Sequence, residues 1–210
     1  SGEIVLNDAK QRLRLESQGA DSLQARVITG GPIVARKGIT YTASAYRQES
    51  LSDTDRTILD HTRHVEGIRY ALSYVRDAVE MAGYRKQIGR AVSLIAKLER
   101  QPAVDEAMQI AGSADELWLC RGDLGAELGQ GAMAATVYDF SERLAGSPVA
   151  VLLAGQIFEH MAEHPTPTRS EVCSVYAALR QGYRGLVLSD ETAIGRDPVE
   201  SCRMAALFRT

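Results

Sequence analysis

Hydrophobic and polar positions divide the chain into a short N-terminal part and a longer part with another pattern. Short runs of apolar or alternating residues at 4–6, 12–15 and 25–28 predict strands, because neighbouring side chains of a strand point to opposite faces. Polar and glycine-containing segments between these runs are typical of turns. We therefore expect a small antiparallel sheet within residues 1–36.

From about residue 50, apolar runs alternate with helical patterns. Continuous apolar runs between helices are typical of a parallel sheet that is covered on both faces, so this part predicts an α/β fold. Ser52 and Asp53 provide N-caps for a first helix that contains Ile58 and Leu59. The predicted strands are 68–75, 91–98, 116–120, 148–153 and 185–188, and further helices lie near 77–88, 103–111, 131–145, 169–181 and 198–208.

Composition and charge exclude several classes of protein. A chain of 210 residues with 45% hydrophobic and 24% charged residues has the composition of a folded protein, and its length favours one domain with a small appendage. A net charge of −3 gives no basic field for nucleic acid, and no apolar run has the roughly 20 residues that a membrane span needs. Three cysteines without a ligand spacing fit a reducing compartment, so we expect a cytoplasmic protein.

Polar side chains cluster where the predicted strands end. In a (β/α) barrel the catalytic groups lie at the carboxyl ends of the strands, because the loops after the strands converge there. A doubly wound sheet is the competing architecture. The residues in question are Ser73, Arg76, Lys97, Glu99, Arg121, Asp123, Gln156, Ser189 and Glu191.

Lys97 and Glu99 lie two positions apart, and therefore on the same side of a strand. Such a pair suits a charged substrate, with the carboxylate holding a divalent cation and the ammonium stabilising a developing anion. The alternative is an ordinary salt bridge at a strand end.

The segment 121–127 surrounds Asp123 with Gly122 and Gly125, which allow the backbone to approach a ligand and its amides to bind an anion. Asp123 then offers a second carboxylate for the cation. Two carboxylates without a histidine or cysteine cluster fit Mg²⁺ or Mn²⁺ better than zinc. The alternative is a tight turn with a capping aspartate.

Other polar residues have structural explanations beside functional ones. Ser189 either relays a proton or binds substrate, or it caps the turn that follows the last strand together with Glu191. Thr168 and Glu171 have the spacing of a capping box. We expect the four histidines to be solvated and Trp118 to pack against neighbours.

A series of motifs in this order resembles the pyruvate kinase family over nearly the whole chain. Each motif is weak alone, but six in the same order are specific. They are Lys37-Gly38-Ile39, Ser73-Tyr74-Val75-Arg76, Ala96-Lys97-Leu98-Glu99, Arg121-Gly122-Asp123-Leu124-Gly125-Ala126-Glu127, Pro167-Thr168-Arg169-Ser170-Glu171 and Leu188-Ser189-Asp190-Glu191-Thr192-Ala193.

The resemblance implies a (β/α)8 TIM-type barrel with a small inserted β domain. Residues 1–36 would be the end of that inserted domain, and residues 37–210 the C-terminal part of the barrel, with five of its eight strands. The family's reaction is phosphoryl transfer between phosphoenolpyruvate and ADP in glycolysis, and it uses Mg²⁺ and usually K⁺. The family's potassium ligands lie in strands that this chain does not match.

The resemblance also implies roles for individual residues. Lys97, Ser189 and Glu191 would be catalytic, with Lys97 stabilising the enolate of pyruvate. Glu99 and Asp123 would hold Mg²⁺ or Mn²⁺. The substrate-binding residues would be Ser73, Arg121, Gly122, Asp123, Gly155 and Gln156.

The sequence departs from the family at several points. The family's Ala-Thr-Gln-Met is replaced by Ala154-Gly155-Gln156-Ile157, so that Gly155 stands where the family has a substrate-contacting threonine. Asp190 adds a carboxylate, and the segment after Lys37-Gly38 is altered. The family's first three strands, with its phosphate-binding arginine, have no counterpart.

Five barrel strands leave two open sheet edges, which need a partner. Because the chain also begins at Ser1 without methionine, we expect a piece of a longer polypeptide, or a homo-oligomer or second chain that completes the barrel. Three functions stay open. They are a pyruvate kinase acting on phosphoenolpyruvate or pyruvate with ADP or ATP, a divergent Mg²⁺-dependent 2-oxo acid enzyme of lyase or decarboxylase type, and a non-catalytic relative. Gly155 favours the second function if it makes room for a larger substrate.

Overall fold

The computed structural model describes residues 2–6, 11–33, 35, 39–41 and 51–209. Lys37 and Gly38 of the first motif, and residues 42 and 43 after it, lie outside these residues. The strands are β1 Glu3–Leu6, β2 Gln11–Gln18, β3 Leu23–Thr29, β4 Ile39–Tyr41, β5 Arg69–Leu72, β6 Ser93–Leu98, β7 Glu116–Cys120, β8 Ala150–Ala154 and β9 Gly185–Val187. The helices are α1 Asp53–Thr62, α2 Ala78–Ile88, α3 Gln101–Asp105, α4 Ala107–Ala111, α5 Arg121–Leu128, α6 Gln130–Ser141, α7 Arg169–Gln181, α8 Asp190–Ala193 and α9 Pro198–Ala206.

The N-terminal strands form a small antiparallel sheet in the order β3-β2-β1-β4. Ile4 pairs with Leu13 of β2 on one side and with Tyr41 of β4 on the other. The first three strands confirm the sequence prediction. The fourth was not predicted, because three residues carry too short a pattern, and it extends the sheet beyond residue 36. The proposed division of the chain at residues 36 and 37 stays a prediction.

The five later strands form a parallel sheet in the order β5-β6-β7-β8-β9. Every strand lies beside its neighbour in sequence, so the order has no reversal point of the kind that defines a doubly wound sheet. When successive strands are added in one direction by right-handed crossovers, the connecting helices all lie on the same face of the sheet. This topology confirms the prediction of an α/β protein with five strands of a barrel-type sheet.

One face of the parallel sheet contributes most of the hydrophobic core. Leu94, Ala96 and Leu98 of β6 are fully buried in it, together with buried residues of α2, α4, α6 and α7. The opposite face is less covered, since the Lys97 side chain is 27% exposed and Trp118 is only half-buried. Ile95 on this same face is nevertheless buried, so the face is partly covered, and the expectation that both faces are covered stays a prediction.

Most helix boundaries follow the sequence pattern, but α3, α4 and α5 differ from it and α8 was not predicted. Thr168 caps α7 through the predicted capping box with Glu171, and α7 has the predicted limits. The predicted helix at 103–111 is divided at Glu106 into α3 and α4. The glycine-containing segment 121–127, for which we predicted no helix and gave a tight turn as the alternative, begins the helix α5 directly after β7.

Arg85 and Asp115 connect α2 to the start of the sheet. The Arg85 guanidinium donates to the Ser113 carbonyl and to two carbonyls of the loop after α2, and it contacts Asp115 Oδ2 at 2.5 Å. The same Oδ2 accepts from the Leu94 amide at 2.7 Å. Burial opposes ionisation, but these two donors more than offset it and lower the pKa of Asp115 below its ordinary value of 3.8.

We predict that Asp115→Asn lowers the free energy of unfolding by about 1 kcal/mol at pH 7, because the side chain is half exposed and solvent screens the lost charge. A carboxylate with a lowered pKa stabilises the fold above its unfolded pKa and loses this effect as the pH falls through the folded one. The free energies of unfolding of wild type and Asp115→Asn, measured in urea, should thus differ at pH 7 and converge below pH 3.8. An equal difference at both pH values would contradict this assignment.

Candidate functional site

The carboxyl ends of the parallel strands bring the predicted site residues to one edge of the sheet. Ser73, Glu99, Arg121 and Gly155 are each the first residue after a strand, namely β5, β6, β7 and β8. Ser189 follows β9 by two residues. Parallel strands in register therefore place these residues side by side, and their side chains form three groups connected along the edge.

The first group is built around Lys97 and Glu99. Lys97 Nζ lies 2.7 Å from Glu99 Oε1 and donates to Ser73 Oγ at 3.2 Å. Glu99 is 1% exposed. Burial raises the pKa of Glu99, because a charged carboxylate loses its hydration, and the Lys97 ammonium opposes this effect. Burial also acts against the charged form of Lys97, but Glu99 more than offsets it and raises the pKa of Lys97.

Tyr74 connects this pair to Asp123. Its amide donates to Glu99 Oε2 at 2.5 Å, and its hydroxyl donates to Asp123 Oδ1 at 2.7 Å. Tyr74 has a φ of +55°, which is unusual for a residue other than glycine. The sequence motif at the end of β5 includes Tyr74, but the residue was not predicted to belong to the site. The only available signal was its position directly after Ser73 at a strand end.

Glu99 and Asp123 are close enough that the charge of Asp123 raises the pKa of Glu99 further. Two neighbouring carboxylates suit a hard divalent cation, since Mg²⁺ uses one or two carboxylates and completes its shell with substrate oxygens and water. The residues present therefore fit magnesium. Among the described residues, no group of three or more histidine, cysteine or acidic side chains is assembled, which makes an all-protein metal cage a poor description of this site.

The second group joins β7 to β8 through Arg121. Its guanidinium donates to the Gly155 carbonyl at 3.0 and 2.6 Å and to the Gln156 carbonyl at 2.9 Å. Burial lowers the pKa of Arg121, while the Tyr183 and Glu191 side chains oppose this effect. The Arg121 side chain thus holds the loop after β8, where Gln156 has a φ of +52°.

Gly155 lies against the first turn of α5. It has a φ of +85°, and a Cβ at this position would lie 3.2 Å from the Gly122 amide nitrogen and 3.5 Å from that of Arg121. The expectation that Gly155 makes room for a larger substrate is wrong, because backbone atoms of α5 occupy the space that a side chain would need. Glycine is required here by backbone conformation and close approach.

The third group joins β8 to β9 through Glu191, which is fully buried. Its Oε1 accepts from the Phe158 amide at 3.3 Å, and its Oε2 accepts from the amide and the hydroxyl of Ser189 at 3.1 and 3.2 Å. Ser201 donates to the Glu191 carbonyl at 3.2 Å. Glu191 therefore fixes Ser189 and the loop after β8.

The remaining candidates lie outside these groups. The Arg76 guanidinium pairs with Asp77 at 2.6 Å. His160 and His164, in the segment after β8, stack on each other with ring centroids 3.8 Å apart. Burial raises the pKa of the Cys120 thiol, so that this residue of β7 is not a reactive thiolate.

In the part of the chain that the structure describes, no helix has the length and apolar character of a membrane span.

Comparisons with known proteins relate the chain to one family. Residues 1–202 match the family model described as pyruvate kinase, barrel domain. A pyruvate kinase of Agrobacterium vitis is 32% identical over 201 residues, which are 95% of this chain and 42% of that protein. Pyruvate kinase isozyme G, chloroplastic, of Ricinus communis is 30% identical, with 97% of this chain and 50% of that protein covered. Pyruvate kinase 2 of Synechocystis is 32% identical, with 97% and 35% covered. The chain thus spans half or less of the length of these relatives.

The burial of Glu99 generates a first prediction for the site. Lys97→Met removes the cation from a buried carboxylate and should lower the free energy of unfolding by about 3–5 kcal/mol. The double variant Lys97→Met/Glu99→Gln removes both charges and should recover most of this loss. Urea unfolding at pH 7 measures both values, and two additive losses would show that the pair is not coupled.

The contact at Gly155 generates a second prediction, for which Gly67 is a matched control. Gly67 has a φ of +79°, but no atom lies within 4 Å of the position that a Cβ would occupy, so Gly67→Ala isolates the cost of the backbone conformation. We expect that cost to be about 1 kcal/mol and Gly155→Ala to lose at least ~1 kcal/mol more, because its Cβ meets α5. Thermal unfolding of the two variants compares them, and equal losses would refute the close contact.

Proposed function

Because the chain belongs to the pyruvate kinase family, we propose that it carries half of an active site that moves a phosphoryl group between phosphoenolpyruvate and ADP. The observation that supports this proposal is the convergence of Lys97, Glu99 and Asp123 at the carboxyl end of the sheet. Phosphoryl transfer depends mainly on positioning and electrostatic stabilisation, and this group supplies both.

Lys97 is the residue proposed to stabilise the enolate. When a phosphoryl group leaves phosphoenolpyruvate, negative charge develops on the oxygen of the pyruvate enolate. An ammonium held in a water-poor site stabilises such a charge more than it would in bulk water. The raised pKa of Lys97 keeps it protonated, and its contacts with Glu99 and Ser73 hold it in place.

Glu99 and Asp123 are the proposed ligands of Mg²⁺, or of Mn²⁺ in its place. When bound, the cation supplies Lewis-acid stabilisation of the phosphoryl oxygens and orients the substrate. Glu99 projects from the end of β6 and Asp123 from the first turn of α5, so two rigid elements set their separation. We assign no residue of this chain to potassium.

The first turn of α5 is the proposed binding site of the substrate carboxylate. Amides in the first turn of a helix have no partner within the helix, and the helix dipole favours an anion there. Gly122 and Asp123 lie in that turn. Arg121, Gly155 and Gln156 support it from the side through the guanidinium contacts, and Ser73 supports Lys97.

Ser189 is the proposed member of the site that helps to deliver a proton to the enolate carbon. Glu191, which accepts from both the amide and the hydroxyl of Ser189, acts through Ser189 and is a positioning residue in this proposal. We assign Glu191 a positioning role and not a catalytic one because a fully buried carboxylate can orient the hydroxyl but does not itself face a substrate.

The proposed partners complete this half-site. Within the described residues β5 and β9 each have one strand neighbour, so their outer edges can pair with further strands of the same polypeptide or of another copy. ADP or ATP is the proposed second substrate. The three cysteines are free thiols, which supports the cytoplasm as the proposed compartment.

A second candidate function is enolate chemistry on a 2-oxo acid without transfer to ADP. It is favoured by the fact that Lys97, Glu99 and Asp123, which could stabilise an enolate and hold its cation, lie together in this chain. Exchange of the methyl protons of pyruvate with solvent, dependent on Mg²⁺ but not on ADP, would identify this function. Absence of both activities in a folded protein would favour a non-catalytic relative.

The metal assignment is tested by Glu99→Gln, which keeps the shape of the side chain but removes its charge. We expect calorimetric titration of wild type with oxalate to show binding only when Mg²⁺ is present, and the variant to lose at least tenfold in Mg²⁺ affinity. Formation of pyruvate from phosphoenolpyruvate and ADP should fall in parallel.

Glu116→Gln is the matched control. Glu116 is also a largely buried glutamate, but it lies at the opposite end of β7 and contacts Trp118 Nε1 and Arg69. It should leave Mg²⁺ affinity unchanged. Full Mg²⁺ affinity in Glu99→Gln would show that the metal ligands are wrongly assigned.

A further inference from the structure

We propose that Tyr74 is a positioning residue that holds both carboxylates of the site in the arrangement required for a divalent cation. This inference rests on the proposed function, because it concerns the same pair, Glu99 and Asp123. It adds a residue that the sequence did not single out, and it gives the Tyr74 hydroxyl a role of its own.

Tyr74 contacts the two carboxylates with different parts of one residue. The main-chain amide donates to Glu99 Oε2 at 2.5 Å, while the hydroxyl at the far end of the ring donates to Asp123 Oδ1 at 2.7 Å. The carboxylates project from β6 and from α5, whereas Tyr74 follows β5. One residue therefore connects the ends of three elements and donates a hydrogen bond to each of the two acidic groups.

The backbone conformation of Tyr74 supports a role in the site. With a φ of +55°, Tyr74 lies in the left-handed region, which aromatic residues seldom adopt. Such conformations are found at sites whose surroundings hold them in place. Tyr74 is 45% exposed, so burial in the core does not account for this conformation. The two hydrogen bonds to carboxylates help to hold it.

The hydrogen bonds leave both carboxylates able to bind a cation. Each carboxylate oxygen has two lone pairs, so a donor on one of them fixes the orientation of the group and leaves further acceptor sites. Hydrogen bonds from neighbouring residues to metal-binding carboxylates orient the ligands, and their loss commonly reduces metal affinity by about 10- to 100-fold. The Tyr74 hydroxyl has this relation to Asp123.

The test compares Tyr74→Phe with wild type by measuring Mn²⁺ binding in the presence of oxalate, with free Mn²⁺ quantified by electron paramagnetic resonance. Tyr74→Phe keeps the ring and the amide and removes only the hydroxyl. We expect its Kd for Mn²⁺ to rise about tenfold. An unchanged or lower Kd would overturn the inference, and a lower value would show that the hydroxyl competes with the cation.

Tyr70→Phe is the matched control, because Tyr70 lies on β5 and its hydroxyl contacts Thr62 Oγ1 at 2.7 Å, away from the carboxylates. It should bind Mn²⁺ like wild type. In an Asp123→Ala background, Tyr74→Phe should have no further effect on the Kd, since the acceptor of the Tyr74 hydroxyl is already removed. If Tyr74→Phe raised the Kd by the same factor in that background, the effect would come from general destabilisation, and the inference would be overturned.

Two further outcomes are distinguished. If Tyr74→Phe does not fold, Tyr74→Asn tests the same hydroxyl, because asparagine tolerates a positive φ and does not reach Asp123; it should show the same loss of affinity. If wild type itself binds no Mn²⁺, both this inference and the proposed function are overturned. If wild type binds Mn²⁺ and Tyr74→Phe binds it equally well, this inference is overturned but the proposed function is not.

Discussion

The buried carboxylate of Glu99 is the feature on which the arrangement of the site depends. A charged group with 1% exposure is stable only when it is paired and hydrogen-bonded, and Lys97 and the Tyr74 amide provide both interactions. This requirement explains why the loop after β5 adopts a positive φ at Tyr74. It also explains why Lys97, whose side chain is 27% exposed, stays directed along the sheet face instead of toward bulk solvent.

The other two groups extend this organisation across the sheet edge. Arg121 fixes the loop after β8 from the end of β7, and Glu191 fixes the same loop from the region after β9. Hydrogen bonds between side chains and main chain thus connect the ends of β5 and β6, the ends of β7 and β8, and the segments that follow β8 and β9. The face of the sheet that bears Lys97 and Trp118 is only partly covered. Rigid strands and short loops of this kind hold catalytic groups more precisely than long loops do.

Several elements could be predicted from sequence because the relevant information is local. Thr168 and Glu171 define the start of α7 by their spacing, and β7 follows from a continuous apolar run. Lys97 and Glu99 lie on one side of a strand by simple alternation. The helix α5 was missed, because Gly122 and Gly125 disfavour a helix in isolation, and only packing of Leu124 and Ala126 into the protein interior stabilises it.

The sequence by itself determined the α/β alternation, the polar residues at the strand ends and the membership in the pyruvate kinase family, because these depend on residue type and spacing. Tertiary structure decided what those residues contact. It showed that Gly155 lies against the amides of α5 and does not open a pocket, that the Arg121 side chain supports carbonyls of the next loop, and that Tyr74 reaches both acidic residues. These contacts join residues 25 to 49 positions apart in the chain, and no local pattern specifies which of them meet until the strands are aligned side by side.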